Sequence, residues 1–214
     1  TAILAPLFIV MSLLYGTAVY YLILRLISKF HDTYITTDIL DNLKKLSVMF
    51  LFANLYFLGL YHVTNMYIAK HLDFEIFILS SGGIYTISFW VGQVFIGIIL
   101  PIIILSSNKL CTHLALTISS ILILIGSFIA MYVIIIGGQA YPLTIFPDHI
   151  IIDSSFFDNV VHSYIPSVYE FGLGIGGIAL ALIIVLVGIA NFKFLPTMIS
   201  SLHKKEAAEK SSDS

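Results

Sequence analysis

Charge is scarce in this chain of 214 residues: Asp, Glu, Lys and Arg together make up 10% of it, against about a quarter in a soluble domain. With 59% hydrophobic residues and a mean hydropathy of +1.02, the chain belongs in a bilayer rather than in water. Cysteine is nearly absent. Cys111 stands alone, which excludes disulfides within the chain, CxxC redox motifs, cysteine-ligated iron-sulfur clusters and C-x-x-C-H haem attachment. A redox centre serving this protein must therefore be non-covalent or sit on a partner. The chain opens at Thr1 without a methionine, and its first apolar run is too long for a signal peptide and lacks a charged leading region. The expectation is a processed start or a piece of a longer protein.

What the chain does have is long apolar runs. Five of them cover roughly residues 3–27, 46–69, 84–105, 114–136 and 168–192, each near or above the roughly 20 residues that span a hydrocarbon core as a helix. Barrel strands would be about half as long and would alternate in polarity. Backbone groups at that depth find no water, so continuous runs must be helical. The predicted fold class is an all-α integral membrane protein, a bundle of five transmembrane helices over residues 1–196, followed by a polar tail over 197–214 with nothing to bury.

The positive charges predict orientation. Of ten Lys and Arg, only Lys70 falls on the second or fourth loop's side, whereas Arg25, Lys29, Lys44, Lys45, Lys109, Lys193, Lys204, Lys205 and Lys210 fall on the other. The positive-inside bias places the first and third loops and the C-terminus in the cytoplasm, and the N-terminus outside. The first loop, with Asp32, Asp38 and Asp41 among its lysines, reads as a possible short surface helix. The second, from Lys70 to Gly83, carries His71, Asp73 and Glu75 and closes on Ser80-Ser81-Gly82-Gly83, a turn into the third helix. The fourth loop, from Gly137 to about Ser167, holds Asp148, Asp153 and Asp158 without Lys or Arg, and reads as an outward docking surface. Pro101 is expected to kink the last turns of the third helix.

Glu170 is the one acidic residue inside an apolar run, and ionisable groups at such depth usually mark ion paths, proton relays or ligand sites. Ser167-Val168-Tyr169-Glu170 also matches the S-x-x-E capping box. The two readings stand together, because a capping carboxylate at a helix end can exchange protons with a quinone headgroup. His62 and Asn65, three apart near the outer end of the second helix, share one helical face and could hold a quinone carbonyl, a proton path or a haem. A bond from His62 across to a neighbouring helix would need no function at all.

A b-type haem in a membrane bundle usually takes two axial histidines from different helices at matching depth. His113 lies at the opposite membrane surface from His62, and His162 lies in a loop, as do His31, His71 and His149. Gly172-x-Gly174-x-x-Gly177 falls inside an apolar helix rather than between a strand and a helix, so it reads as small residues for close helix packing and not as a dinucleotide site. Gln93 and Asn54 read as interhelical structure unless they line a cavity. The tyrosines fit interfacial belts.

Gly137-Gly138-Gln139 after a membrane helix, followed by Tyr164-x-Pro166-Ser167-x-x-Glu170 opening a glycine-rich helix, resembles the C-terminal half of NrfD-like proteins. These are the polysulfide-reductase-type membrane subunits, and the likeness is to the branch with the HybB and DsrP subunits. It is carried by about residues 126–196, with Leu195-Pro196 after the last helix, whereas the first three helices match in length and order only. Met131 departs from the arginine common in related sequences. The resemblance implies a subunit with no tightly bound cofactor. Such a subunit exchanges electrons between the quinone pool, menaquinone or ubiquinone, and an extracytoplasmic ferredoxin-like iron-sulfur subunit. It further implies a multihaem cytochrome or catalytic subunit as additional partner, a location in the cytoplasmic (inner) membrane, and a place for this chain as helices six to ten. Quinone-binding or proton-transfer candidates are Glu170, His62, Asn65, Gln139 and Tyr164. No metal site and no nucleic acid are expected. The alternative is a cofactor-free membrane anchor docking an electron-transfer protein through the acidic fourth loop, and a secondary transporter is a more distant third.

Overall fold

The computed structural model describes residues 2–30, 35–107, 112–141 and 167–191. Their regular structure is helical throughout, with no strand among the described residues. Five helices are long and apolar enough to cross a membrane, which makes this a multi-pass membrane protein. The chain divides into two compact units. Thr1–Lys29 with Ile35–His162 form the first, and Phe30–Tyr34 with Ser163–Ser214 form the second.

In the first unit, α1 (Leu4–Phe30) buries Leu7, Met11, Leu14, Ala18 and Tyr21, a stripe alternating four and three residues apart, as helix-on-helix packing requires. Tyr15, Leu22 and Leu24 are partly buried against the same core, whereas Ile9, Leu13, Val19, Tyr20 and Leu26 are exposed as a lipid-facing surface would be. The Tyr21 hydroxyl donates to the His113 carbonyl at 2.8 Å and lies 3.1 Å from Thr117 Oγ1, tying α1 to α5 (Thr112–Ala140).

Helix α2 (Thr37–Tyr67) starts nine residues before the expected Leu46. Leu40 and Leu43 continue the buried stripe of Ser47, Leu51, Asn54 and Leu58, while Asp38, Asp41 and Lys45 turn outward. An amphipathic turn and a charged loop have the same composition, and only the period separates them. The second loop also needs correcting. It is helical over α3 (Ala69–Ile76) and continues as a π turn over Phe77–Ser81.

Helix α4 (Ile84–Ser106) follows the expected turn: the Gly82 amide donates to Phe77 O at 2.7 Å, and Gly83 takes φ 57°, a left-handed conformation that favours glycine. From Ser88 to Ile99 this helix is π-wound, and Pro101 begins the α-helical remainder Leu100–Ser106 near its first position. Proline is tolerated at such a first-turn position, where its missing amide has no partner within the α-helical segment. Against α4 packs α5, itself π-wound over Tyr132–Gly137. A Cβ built on Gly126 would overlap Gly97 Cα, so two glycines set this crossing.

The described residues of the second unit are Phe30, Ser167 and α6 (Val168–Asn191). The predicted capping box is formed there. The Ser167 amide donates to Glu170 Oε2 at 2.7 Å, and the Glu170 amide donates to Ser167 Oγ at 3.3 Å. Gly172, Gly174 and Gly177 lie within one continuous helix, which removes the strand-turn-helix context of a dinucleotide site.

Candidate functional site: a buried carboxylate held by the end of α2

Helix α2 ends at Tyr67, and one extended residue, Ile68 (φ -90°, ψ 109°), breaks it before α3 begins. The Ile68 amide still reaches Asn65 O at 3.1 Å, and the His71 amide reaches Ile68 O at 2.8 Å, so both polar groups of Ile68 are bonded. Helix α3 folds back along the end of the bundle. It exposes Lys70, His71 and Asp73 and turns Glu75 inward until none of its surface is exposed.

A carboxylate buried at this depth is costly unless its oxygens are bonded. Both are. Asn65 Nδ2 donates to Oε1 at 2.8 Å, and His62 Nδ1 lies 2.6 Å from Oε2. His62 and Asn65, expected to share a face, do so, and the face is occupied by a group the sequence reading had left in a loop. The imidazole is wedged edge to face between Phe89 (4.8 Å) and Tyr61 (5.1 Å), so its plane is fixed as well as its Nδ1 partner. Nε2 remains as the ring atom that Glu75 does not engage.

Beside the imidazole lies a small cleft lined by Leu58, Tyr61, His62, Phe89, Gln93 and Val133, among others, with a cavity volume of about 30 Å³. Gln93 is 4% exposed, and its Oε1 has no hydrogen-bond partner among the described residues. The condition set on Gln93 from sequence, that it line a cavity, is met. A second aromatic group braces α3 from behind: Tyr141 contacts Phe74 at 5.6 Å and Phe77 at 5.2 Å, and Tyr85 stacks on Tyr132 at 5.7 Å. Burial pushes the Tyr141 phenol above its ordinary value, and the Asp73 carboxylate adds to that shift.

Polysulphide reductase, NrfD, is the family whose model matches this chain, over residues 1–142. The chain belongs to the NrfD family. Its similarity to the Hdr-like menaquinol oxidoreductase integral membrane subunit of Archaeoglobus fulgidus is 32% identity over 144 residues, 66% of this chain and 36% of the relative. The chain thus spans about a third of that relative's length. No solved structure matches it.

The NrfD match covers α1 to α5 and therefore contains His62, Asn65, Glu75, Gln93 and Gln139. It stops short of α6, whereas the resemblance read from sequence rested on residues 126–196, and the two overlap at Gly137-Gly138-Gln139. Of the five candidates named from sequence, the structure brings His62 and Asn65 together. Gln139 is exposed in the last turn of α5. Glu170 caps α6 within the second unit. Tyr164 lies outside the described residues, as do Cys111, His162, the three aspartates of the acidic loop and the polar tail.

His113 does not share the cluster of this NrfD chain. Its carbonyl meets Tyr21, which follows the cleft-lining Leu7 by about four turns of α1, roughly 20 Å at 1.5 Å per residue. Among the described residues no group of three His, Cys, Asp or Glu could hold a metal ion. Glu75 is the member of this cluster that was not a candidate from sequence. Its signal was a lone carboxylate inside the apolar run Phe74-Glu75-Ile76-Phe77-Ile78-Leu79, which a solvated loop would not contain.

Proposed function

We propose that this chain forms part of an NrfD-type membrane subunit that exchanges electrons between the quinone pool and an extracytoplasmic iron-sulfur partner. In this reading the His62–Glu75 pair handles the substrate proton. The observation that carries it is the fully buried Glu75 carboxylate bonded to both His62 and Asn65. A buried carboxylate is retained at a cost that packing alone does not repay, and paired to an imidazole it makes a proton acceptor with a fixed geometry. The menaquinol named for the relative supports the substrate class, and the positive-inside bias supports an outward-facing position for this end of the bundle.

In the oxidative direction a quinol gives up two electrons and two protons. His62 Nε2 takes one proton as the Nδ1 proton passes to Glu75 Oε2, and Asn65 continues to donate to Oε1. The second proton leaves to solvent, and the two electrons would leave one at a time to iron-sulfur clusters of the partner. Reduction of quinone reverses each step. The cleft of about 30 Å³ is far below the roughly 300 Å³ of an ordinary ligand pocket, so it admits an oxygen atom or a water and not a ring. The ring therefore stays at the rim, and only polar atoms reach the imidazole.

The test is quinol-dependent reduction of an acceptor by the assembled complex carrying Glu75→Gln, which keeps the shape and one acceptor oxygen. Loss of general acid–base assistance predicts a fall of about 100-fold or more. Wild-type turnover in a complex that assembles normally would reject the assignment.

A further inference from the structure

The cleft beside His62 contains an energetic contradiction. Most of its lining is apolar, including Leu58, Phe89 and Val133, yet the Gln93 amide reaches it at 4% exposure with its oxygen unbonded among the described residues. Leaving such a group unpaired forfeits its full desolvation cost, and nearly all buried polar atoms in native proteins find a protein or water partner. Exchanging the amide oxygen and nitrogen by a flip would leave a donor unpaired instead, and water satisfies either.

Size decides what the partner is. A water needs at least about 10–15 Å³ of such space and at least two polar partners. The cleft offers about 30 Å³ and is lined by both Gln93 and His62, whose Nε2 is the ring nitrogen that Glu75 does not engage. We propose that the cleft holds ordered water bridging the Gln93 amide and His62 Nε2, which makes Gln93 a positioning residue for proton transfer to the His62–Glu75 pair. The water site stands on the cleft and the orphaned amide; its role in proton transfer rests on the quinone reading above.

The role follows from the size limit. A ring held at the rim cannot bring its hydroxyl to Nε2 if the cleft between them is filled. One water closes that gap. It accepts the substrate proton as it gives its own to Nε2, so no net charge accumulates on it. Gln93 holds the water's orientation, and with Leu in its place the water would lose one of two fixed partners.

The experiment has two readouts on the assembled complex: an experimental structure at a resolution that places waters, and the solvent deuterium isotope effect on quinol-dependent turnover of wild type and Gln93→Leu. The expected result is density within hydrogen-bond distance of Gln93 and His62 Nε2. Gln93→Leu is expected to turn over about tenfold more slowly, with an isotope effect above that of wild type. A dry cleft, or a Gln93 amide paired to another protein group, overturns the water site even if Gln93→Leu fails to assemble. A bridging water with turnover and isotope effect unchanged in Gln93→Leu overturns the positioning role. A complex with no quinol activity at all sinks the quinone reading, and the density still decides the water site.

Discussion

Glu75 and His62 stand thirteen residues apart on two helices, and their side chains meet at 2.6 Å where the carboxylate has no exposed surface. One extended residue, Ile68, makes the meeting possible. Had α2 continued through Ile68, α3 could not fold back to carry Glu75 inward.

The first prediction concerns this pair's stability. Glu75→Leu removes the charge but leaves the Asn65 amide and His62 Nδ1 without their acceptor, each costing about 1–3 kcal/mol. Thermal unfolding of the purified protein in detergent should therefore shift down for Glu75→Leu. The double variant Glu75→Leu with Asn65→Leu should recover part of the loss, and a second loss as large as the first would show that the two side chains do not interact.

The Gly97–Gly126 crossing gives a second. A methyl group on Gly126 would overlap Gly97 backbone, so α4 and α5 must separate to admit it. Gly126→Ala should destabilise by about 1–3 kcal/mol. Gly59, which has nothing within 4 Å of a built Cβ, should accept alanine without loss. Equal melting temperatures for the two variants would mean that the helices are not in close contact.

At the start of α6 the capping box predicts a separation of stability from activity. Ser167→Ala removes a side-chain acceptor from the Glu170 amide and should cost about 1 kcal/mol. Glu170→Gln keeps a capping oxygen and should cost less. Quinol-dependent turnover should be near wild type in both, and a Glu170→Gln loss comparable to that of Glu75→Gln would return Glu170 to the proton path.

Tyr21→Phe provides the fourth. It deletes the hydroxyl that joins α1 to the His113 carbonyl and should cost about 0.5–1.5 kcal/mol while leaving quinol turnover unchanged, because the site is at the other end of α1. Melting curves and turnover measured on one preparation would check both halves of the claim.

Apolar run length determined by itself the class, the number of spans and the helical conformation, since a membrane interior leaves the backbone no other bonded form. The capping box and the Ser80-to-Gly83 turn were legible for a similar reason: their hydrogen bonds are made within a few residues of chain. His62 and Asn65 were visible as one face of α2, because helical spacing is local. What that face touches was not. Glu75 became part of the site only through the break at Ile68, and Gln93 only through the π-wound α4 packed beside it. A carboxylate in a charged loop and one buried against an imidazole differ in burial and partners, and these are properties of helices packed together rather than of neighbours in sequence.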